Sequence, residues 1–270
     1  MAVVVTKQNR HQYGAELQQM YRQRYDVFVE QLHWDLPHAI DGVECDEFDT
    51  DNTVYLLSLD GEGSIQGSCR LIPTLYPHLI SEIFPRLIEG EFPRGCHIWE
   101  SSRSYILAEQ RAEGILGELF LAMLEIGLLL EIRKITFVSD MGFLSSLLHA
   151  GWEVELLGMP ETNARGEVIS ASSVNVNFNT LHNLRQHYRI FGSVLDDMPV
   201  NIAARLKTAK QRENRFEHSH HVGEITYLEG TTWVSYPDYH MLREGSYMER
   251  LINDDCHSAP QSPVKPEGKI

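Results

Sequence analysis

A chain of 270 residues, 43% apolar and 23% charged, can bury a sizeable core as one large domain or as a domain with an appendage. Its net charge of -15 argues against a general nucleic-acid binder and against a protein held on anionic membrane. Four cysteines (Cys45, Cys69, Cys96, Cys256) without paired or metal-like spacing read as reduced thiols, and MAVVVTKQNR lacks the long apolar run of a signal peptide, so a cytoplasmic protein is expected.

Leu17, Tyr21, Arg24 and Phe28 recur at spacings of 4, 3 and 4, which predicts an amphipathic helix over roughly 12–31. Next, DGVECDEFDT (41–50) crowds five carboxylates, Asp41, Glu44, Asp46, Glu47 and Asp49, around Phe48. Neighbouring like charges raise one another's pKa, and a solvated acidic loop is the plain reading of such a run. TVYLLSL (53–59), the turn DGEG and SIQGSCRLIPT (64–74) predict a β-hairpin. LISEIFPRLIEG (79–90) predicts a short helix interrupted at Pro85, and HIWESSRSYI (97–106) a strand.

A long helix is expected from about 112. Its core ILGELFLAMLEIGLLLEI (115–132) carries Glu118, Glu125 and Glu131 roughly on one face, as a buried helix and not a membrane span. ITFVS (135–139), a helix through LSSLLHAG, WEVELLG (152–158), EVISASSVNV (167–176) and a helix near 179–190 continue the alternation. Hairpin strands followed by alternating strands and helices describe a mixed α/β sandwich without internal repeats.

Between Arg185 and Arg215, seven basic residues (Arg185, Arg189, Arg205, Lys207, Lys210, Arg212, Arg215) face three acidic ones, a local reversal in an acidic chain. Residues 1–216 are read as one domain and 217–270 as an extension, its last dozen or so residues disordered. His218, His220 and His221 have no partnered Cys or Asp spacing, so a solvated loop is the reading there and no metal is expected.

Charges inside apolar patterns point to chemistry. Arg24 lies on the apolar stripe between Tyr21 and Phe28, where an unpaired guanidinium would cost several kcal/mol; a snorkelling surface arginine is the plain alternative. Arg70 occupies the strand face that Ile65, Gly67, Cys69 and Leu71 leave free. In WESSR, strict alternation puts Glu100 and Arg103 on opposite faces, so both reach one site only if a β-bulge lies between them. A structural Arg–Glu pair is the plain reading. Three arginines beside crowded acids suit a zwitterionic or polyionic ligand.

Arg24, Phe28, Trp34, then GVECDEFD, CRLIPT, Phe84 and WESSR, in this order and over about the first 200 residues, resemble the LuxI-type acyl-homoserine-lactone synthases. The resemblance maps the family's positions onto Arg24, Phe28, Trp34, Glu44, Asp46, Asp49, Arg70, Phe84, Glu100 and Arg103. It implies a GNAT-like N-acyltransferase fold and S-adenosylmethionine as a substrate, with no further cofactor. It also implies an acyl thioester donor, usually on acyl carrier protein.

On that basis Arg24, Phe28, Trp34, Glu44, Asp46, Asp49 and Arg70 are expected to bind S-adenosylmethionine. The acids would offset its two cationic centres, and Phe28 and Trp34 would cover the sulfonium. Asp41 and Glu47 are expected to be only solvated. Glu100 is the candidate base for the α-amine and joins Arg103 as a catalytic residue. Backbone N–H groups at a splayed or bulged strand would hold the oxyanion. Attack of the carboxylate on its own γ-carbon would then release 5′-methylthioadenosine.

Phe84, Met123, Leu124, Ser139 and Leu147 are candidates for the acyl-chain pocket. Ser139 lies near the position where the family often has the threonine of 3-oxo-acyl producers. RAEGIL (111–116) has Leu116 where a coenzyme A pyrophosphate loop needs a small residue, which favours a carrier protein as donor. The basic stretch is then the expected docking patch, with Arg133 and Lys134 extending it. Two alternatives are another GNAT-like N-acyltransferase, such as those associated with exosortase systems, and a non-catalytic S-adenosylmethionine sensor.

Overall fold

The computed structural model describes residues 1–107 and 114–199, together with Tyr227–Leu228 and Thr231–Thr232. The chain divides into two units, Met1–Ala209 and Lys210–Ile270. In the second, Tyr227–Leu228 pairs antiparallel with Thr231–Thr232. The expected boundary at 216–217, the tail's histidines and the basic residues from Arg205 to Arg215 lie outside the described residues.

The first unit is built on one eight-stranded sheet. Its strands are β1 (Ala2–Val5), β2 (Val54–Leu59), β3 (Ile65–Pro73), β4 (Ile98–Ile106), β5 (Lys134–Asp140), β6 (Val154–Leu156), β7 (Glu161–Thr162) and β8 (Val168–Asn175). The order is β1-β2-β3-β4-β5-β8-β6, with β7 also on β8. All neighbours are antiparallel except β4 and β5. The parallel pair is bonded only at Ile98–Glu100 against Lys134–Thr136 and then parts. This is the GNAT-like fold that the resemblance implies.

The β2–β3 turn forms because Asp60 Oδ1 accepts from Glu62 N and Ser64 N, both at 2.9 Å, and Gly63 takes φ +85°, a left-handed conformation most side chains resist. Every residue of β3 is buried, as expected of a central strand covered on both sides. Strand β1, four apolar residues buried against β2, was not predicted: a short run at a chain end carries no period to read.

Helices α3 (Ile115–Leu129), α4 (Met141–Ala150) and α5 (Phe178–Tyr188) cover one face of the sheet. Phe120 of α3 packs edge-on against Phe143 of α4 and Tyr188 of α5, and Phe143 against Phe137 of β5. A Cβ on Gly117 would meet the Tyr188 ring at 2.4 Å, so glycine is what lets α3 and α5 approach there. Glu118 accepts from Ser58 Oγ at 2.7 Å; Glu125 accepts from Ser193 Oγ at 2.7 Å and Arg185 Nη2 at 3.2 Å. Glu131, expected on the same helical face, lies past the helix end at φ +60°. No helix among the described residues is long and apolar enough to cross a membrane.

The opposite face carries α1 (Gly14–Arg24), its extension, the acidic loop and α2 (Leu79–Glu82). The predicted helix over 12–31 changes character partway: Tyr25–Gln31 is a π-helical turn, with Leu32 N donating to Val27 O at 2.9 Å and Trp34 N to Phe28 O at 2.8 Å. Such widened turns recur at functional sites because they re-aim side chains.

Candidate active site

Arg24, Arg70 and Arg103 come from three separate elements and meet Glu44, Asp46 and Asp49 of the acidic loop. Arg24 donates from Nε to Glu44 Oε2 at 2.5 Å and from Nη1 and Nη2 to the two oxygens of Asp49 at 2.9 and 3.0 Å. Arg70 holds Asp46 through both terminal nitrogens, reaches Asp49 Oδ1 at 3.0 Å and donates from Nε to Ser102 Oγ at 3.0 Å. Arg103 donates from Nε and Nη2 to Glu44 Oε1 at 3.0 and 2.9 Å, and its Nη2 lies 3.0 Å from Asp46 Oδ2.

Three cations thus face three anions, all buried, which explains the crowded acids. The loop turns on itself to do this: Phe48 N donates to Asp46 Oδ1 and Asp46 N to Asp49 Oδ2, each at 2.9 Å. Asp41 and Glu47 point to solvent, as expected.

Burial alone would raise the pKa values of Glu44 and Asp49, but the guanidinium groups outweigh it. Arg24 and Arg103 hold Glu44 at about 2, and Arg70 and Arg24 hold Asp49 far below the usual carboxylate range. A ring nitrogen of His38 and one oxygen each of Glu44 and Asp46 lie within 4.8 Å of one another, close enough for a cation. Their charge is already met by arginine, so this donor set does not suit a metal ion.

The bulge required by WESSR is present. Between Ser68 opposite Tyr105 and Arg70 opposite Ser102, the single residue Cys69 faces both Arg103 and Ser104. Arg103 takes φ +49° there, and its side chain joins Arg70 on the face that also carries Ser102 and Glu100. Glu100 and Arg103 do not pair with each other. Glu100, 1% exposed, accepts from Leu79 N and Ile80 N at the start of α2, each at 2.7 Å. Burial raises its pKa to about 7, against the pull of those two amides and of Arg70.

Phe28 and Trp34 stack with centroids 4.8 Å apart, and Cζ of Arg103 lies 5.7 and 5.9 Å from the two rings. Phe28 is buried, whereas Trp34 is 37% exposed and forms the outer wall. The aromatic pair therefore stands over the guanidinium of Arg103.

The predicted acyl-pocket residues do not gather in one place. Phe84 packs with Ile80, Leu87, Ile169, Ala171 and Val138 on the α2 side of the sheet. Ser139, next after Val138, points to the helical side, where Met123 and Leu124 of α3 and Leu147 of α4 are buried. Alternation along β5 separates the two groups. The Oγ of Ser139 is buried without a partner among the described residues, a donor free to meet a ligand.

Sequence reading missed His38, Tyr55 and the α2 amides. His38 Nε2 lies 2.8 Å from Glu44 Oε1, and the Tyr55 hydroxyl donates to Asp49 Oδ1 at 2.8 Å. Tyr55 had one legible signal: register places it opposite Arg70 in the predicted hairpin. For a loop histidine and backbone amides there was none.

Surface clefts of about 490 and 610 Å³ lie away from this network: the first between Leu116, His149 and Tyr188, the second between Arg94, His97 and Lys134. Of the expected docking residues, Lys134 pairs with Glu155 at 2.6 Å and Arg185 with Glu125.

A parallel strand pair that stops pairing after Glu100 and Thr136, the buried Glu100 carboxyl beside it and a charge-matched Arg–carboxylate network suit an N-acyltransferase. The autoinducer synthase family model matches residues 8–183, and the chain belongs to that family. The isovaleryl-homoserine lactone synthase of Bradyrhizobium diazoefficiens is 33% identical over 203 residues, 74% of this chain and 90% of that protein. An acyl-homoserine-lactone synthase of Ralstonia nicotianae is 43% identical over 82 residues, 30% of this chain and 40% of its own. Among solved structures, the CoA-dependent acyl-homoserine lactone synthase BjaI, with SAM and isopentyl-CoA, superposes with TM-score 0.69 at 31% identity. The match covers 77% of this chain and 99% of BjaI. The chain is thus an acyltransferase of the acyl-homoserine-lactone synthase class, which sets aside the exosortase-associated and sensor alternatives.

Proposed function

We propose that this chain transfers an acyl group from a thioester to the α-amine of S-adenosylmethionine and then closes the homoserine lactone, releasing 5′-methylthioadenosine. One observation carries this reading: Arg103, held under Phe28 and Trp34, has no carboxylate bonded to Nη1 among the described residues while its other nitrogens are engaged. That nitrogen is a donor for the substrate carboxylate. The aromatic faces beside it suit a sulfonium, a contact of about 0.5–2 kcal/mol. Asp46 and Glu44 offset the remaining positive charge.

The thioester enters where β4 and β5 part after Glu100 and Thr136, because backbone groups on the β5 side of β4 are left unladdered there. Such N–H groups suit the oxyanion of the tetrahedral intermediate. Glu100, poised near neutrality, accepts a proton as the amide forms. Lactone closure then relies on holding the substrate carboxylate near its γ-carbon.

Leu116 and the basic stretch favoured acyl carrier protein, but most of that stretch lies outside the described residues, and Lys134 and Arg185 are paired internally. BjaI and MesI are CoA-dependent acyl-homoserine lactone synthases, and MesI is 33% identical with TM-score 0.68. An acyl-coenzyme A donor is therefore favoured, with carrier protein as the second reading. Mass spectrometry of products from purified protein, S-adenosylmethionine and either donor tests both points. Acyl-homoserine lactone and 5′-methylthioadenosine in equal amounts are expected, faster with acyl-coenzyme A. Absence of lactone with both donors would overturn the reading; faster turnover with carrier protein would reverse the donor assignment.

A further inference from the structure

Acylation removes two protons from the substrate nitrogen: one before the ammonium can attack, one after the N–C bond has formed. Glu100 accounts for one of them. We propose that His38, oriented by Glu44, accepts the other and is a second general base of this site. The proposal rests on the reading above that the acyl acceptor is an α-ammonium compound.

His38 lies in the loop between Trp34 and the acidic run, with Nε2 2.8 Å from Glu44 Oε1. The Glu44 side chain is fully buried, and two guanidinium groups keep it ionised throughout the working pH range. A carboxylate only accepts, so Nε2 carries a hydrogen in either charge state of the ring. In the neutral ring the lone pair is therefore on Nδ1. A buried carboxylate that sets the tautomer of an imidazole is the arrangement by which proteins aim a general base.

Position favours the same role. Glu44 Oε1 is shared by His38 and by Nε and Nη2 of Arg103, so the imidazole and the substrate-binding guanidinium converge on one oxygen. In an α-amino acid the nitrogen is only two bonds from the carboxyl carbon. A carboxylate held by Arg103 Nη1 thus brings the ammonium into the neighbourhood of His38. The imidazole is 30% exposed, open to an entering ligand, whereas Glu100 is more deeply buried and accepts one α2 amide on each oxygen, with a lone pair left on each. The charged groups around the ring are Glu44 and Asp46 from the acidic loop and Arg103 from β4, with Arg24 of α1 behind Glu44.

In the step assigned to His38, Nδ1 takes a proton from the α-ammonium, leaving a neutral amine and an imidazolium. The amine lone pair forms the bond to the thioester carbonyl carbon. Collapse of the intermediate breaks the C–S bond, and the second nitrogen proton passes by way of Glu100 to the departing thiolate. The imidazolium returns its proton to water.

The test compares parent, His38→Gln and His38→Ala, each checked for an unchanged melting profile. Glutamine can still donate to Glu44 but cannot act as a base, so kcat should fall about 10²-fold with KM for S-adenosylmethionine unchanged. Added imidazole should restore activity to His38→Ala and not raise that of the parent. Parent-like kcat in His38→Gln, or loss in His38→Ala that imidazole does not relieve, would overturn the proposal. A parent protein that makes no lactone would overturn the functional reading and this inference with it; parent-like output from His38→Gln overturns this inference alone.

Discussion

Arg24 and Asp49 meet through two parallel hydrogen bonds of 2.9 and 3.0 Å, with neither side chain open to solvent. Asp49 also accepts from Arg70, the Tyr55 hydroxyl and Asp46 N, so its oxygens are saturated. Arg24 gives one hydrogen bond from each of its three nitrogens to Glu44 and Asp49. Arg24 and Asp49, expected to bind substrate, are here each other's partners and hold the acidic loop against α1.

Asp49→Asn should therefore act on stability before activity. It leaves the buried Arg24 short of a charge partner, a cost of about 3–5 kcal/mol. Urea denaturation should show a lower midpoint with an unchanged slope. Wild-type stability with selective loss of S-adenosylmethionine affinity would place Asp49 at the substrate instead.

Arg103→Lys tests the open donor. Lysine keeps the charge but cannot hold Glu44 through two nitrogens while offering a third to a ligand. Losing a hydrogen bond to a charged group costs about 1.5–3 kcal/mol, so kcat/KM for S-adenosylmethionine should fall about 10- to 150-fold. The arginine occupies φ +49°, and lysine meets the same backbone strain, so the change isolates the side chain. Kinetics within error of the parent would remove Arg103 from the site.

The raised pKa of Glu100 has a stability consequence with a definite sign. Its folded value of about 7 lies above the ordinary 4.5, so the native state holds this proton more tightly than the unfolded chain does. The contribution is fully present below about pH 4.5 and is lost as pH rises through about 7, a swing of about 3 kcal/mol. Glu44 behaves oppositely: held at about 2, it stabilises above its ordinary 4.5 and loses that contribution as pH falls towards 2. Chemical denaturation of Glu100→Gln between pH 5 and 8 should lack the parent's decline. Parallel curves would mean that Glu100 titrates ordinarily.

Trp34 is the exposed half of the stacked pair, in a segment of loop backbone between Gln31 and Val54. Trp34→Ala should weaken S-adenosylmethionine binding by about 0.5–2 kcal/mol, roughly 2- to 30-fold, read by calorimetry. Amide exchange over 32–40 should slow when the nucleotide binds, as expected of a lid. Unchanged exchange at saturation would make the aromatic pair a fixed wall.

Much of this molecule follows from local pattern. The hairpin through DGEG, the helix through Leu17 and Phe28 and the long apolar helix were all legible from periodicity, because burial of one face repeats at the period of the element. The charges of Arg24, Arg70, Glu100 and Arg103 were legible as anomalies within those patterns, and even the bulge in WESSR followed from strict alternation. What local pattern leaves open is partnership across the fold. Only the tertiary structure decided that Asp49 pairs with Arg24, that Phe84 and Ser139 lie on opposite faces, and that His38 reaches Glu44. A side chain's burial is written in its neighbours in sequence. The atom it bonds depends on segments 20 to 60 residues away, and on backbone turns such as the π-helical one at Tyr25–Gln31 that carry no sequence period.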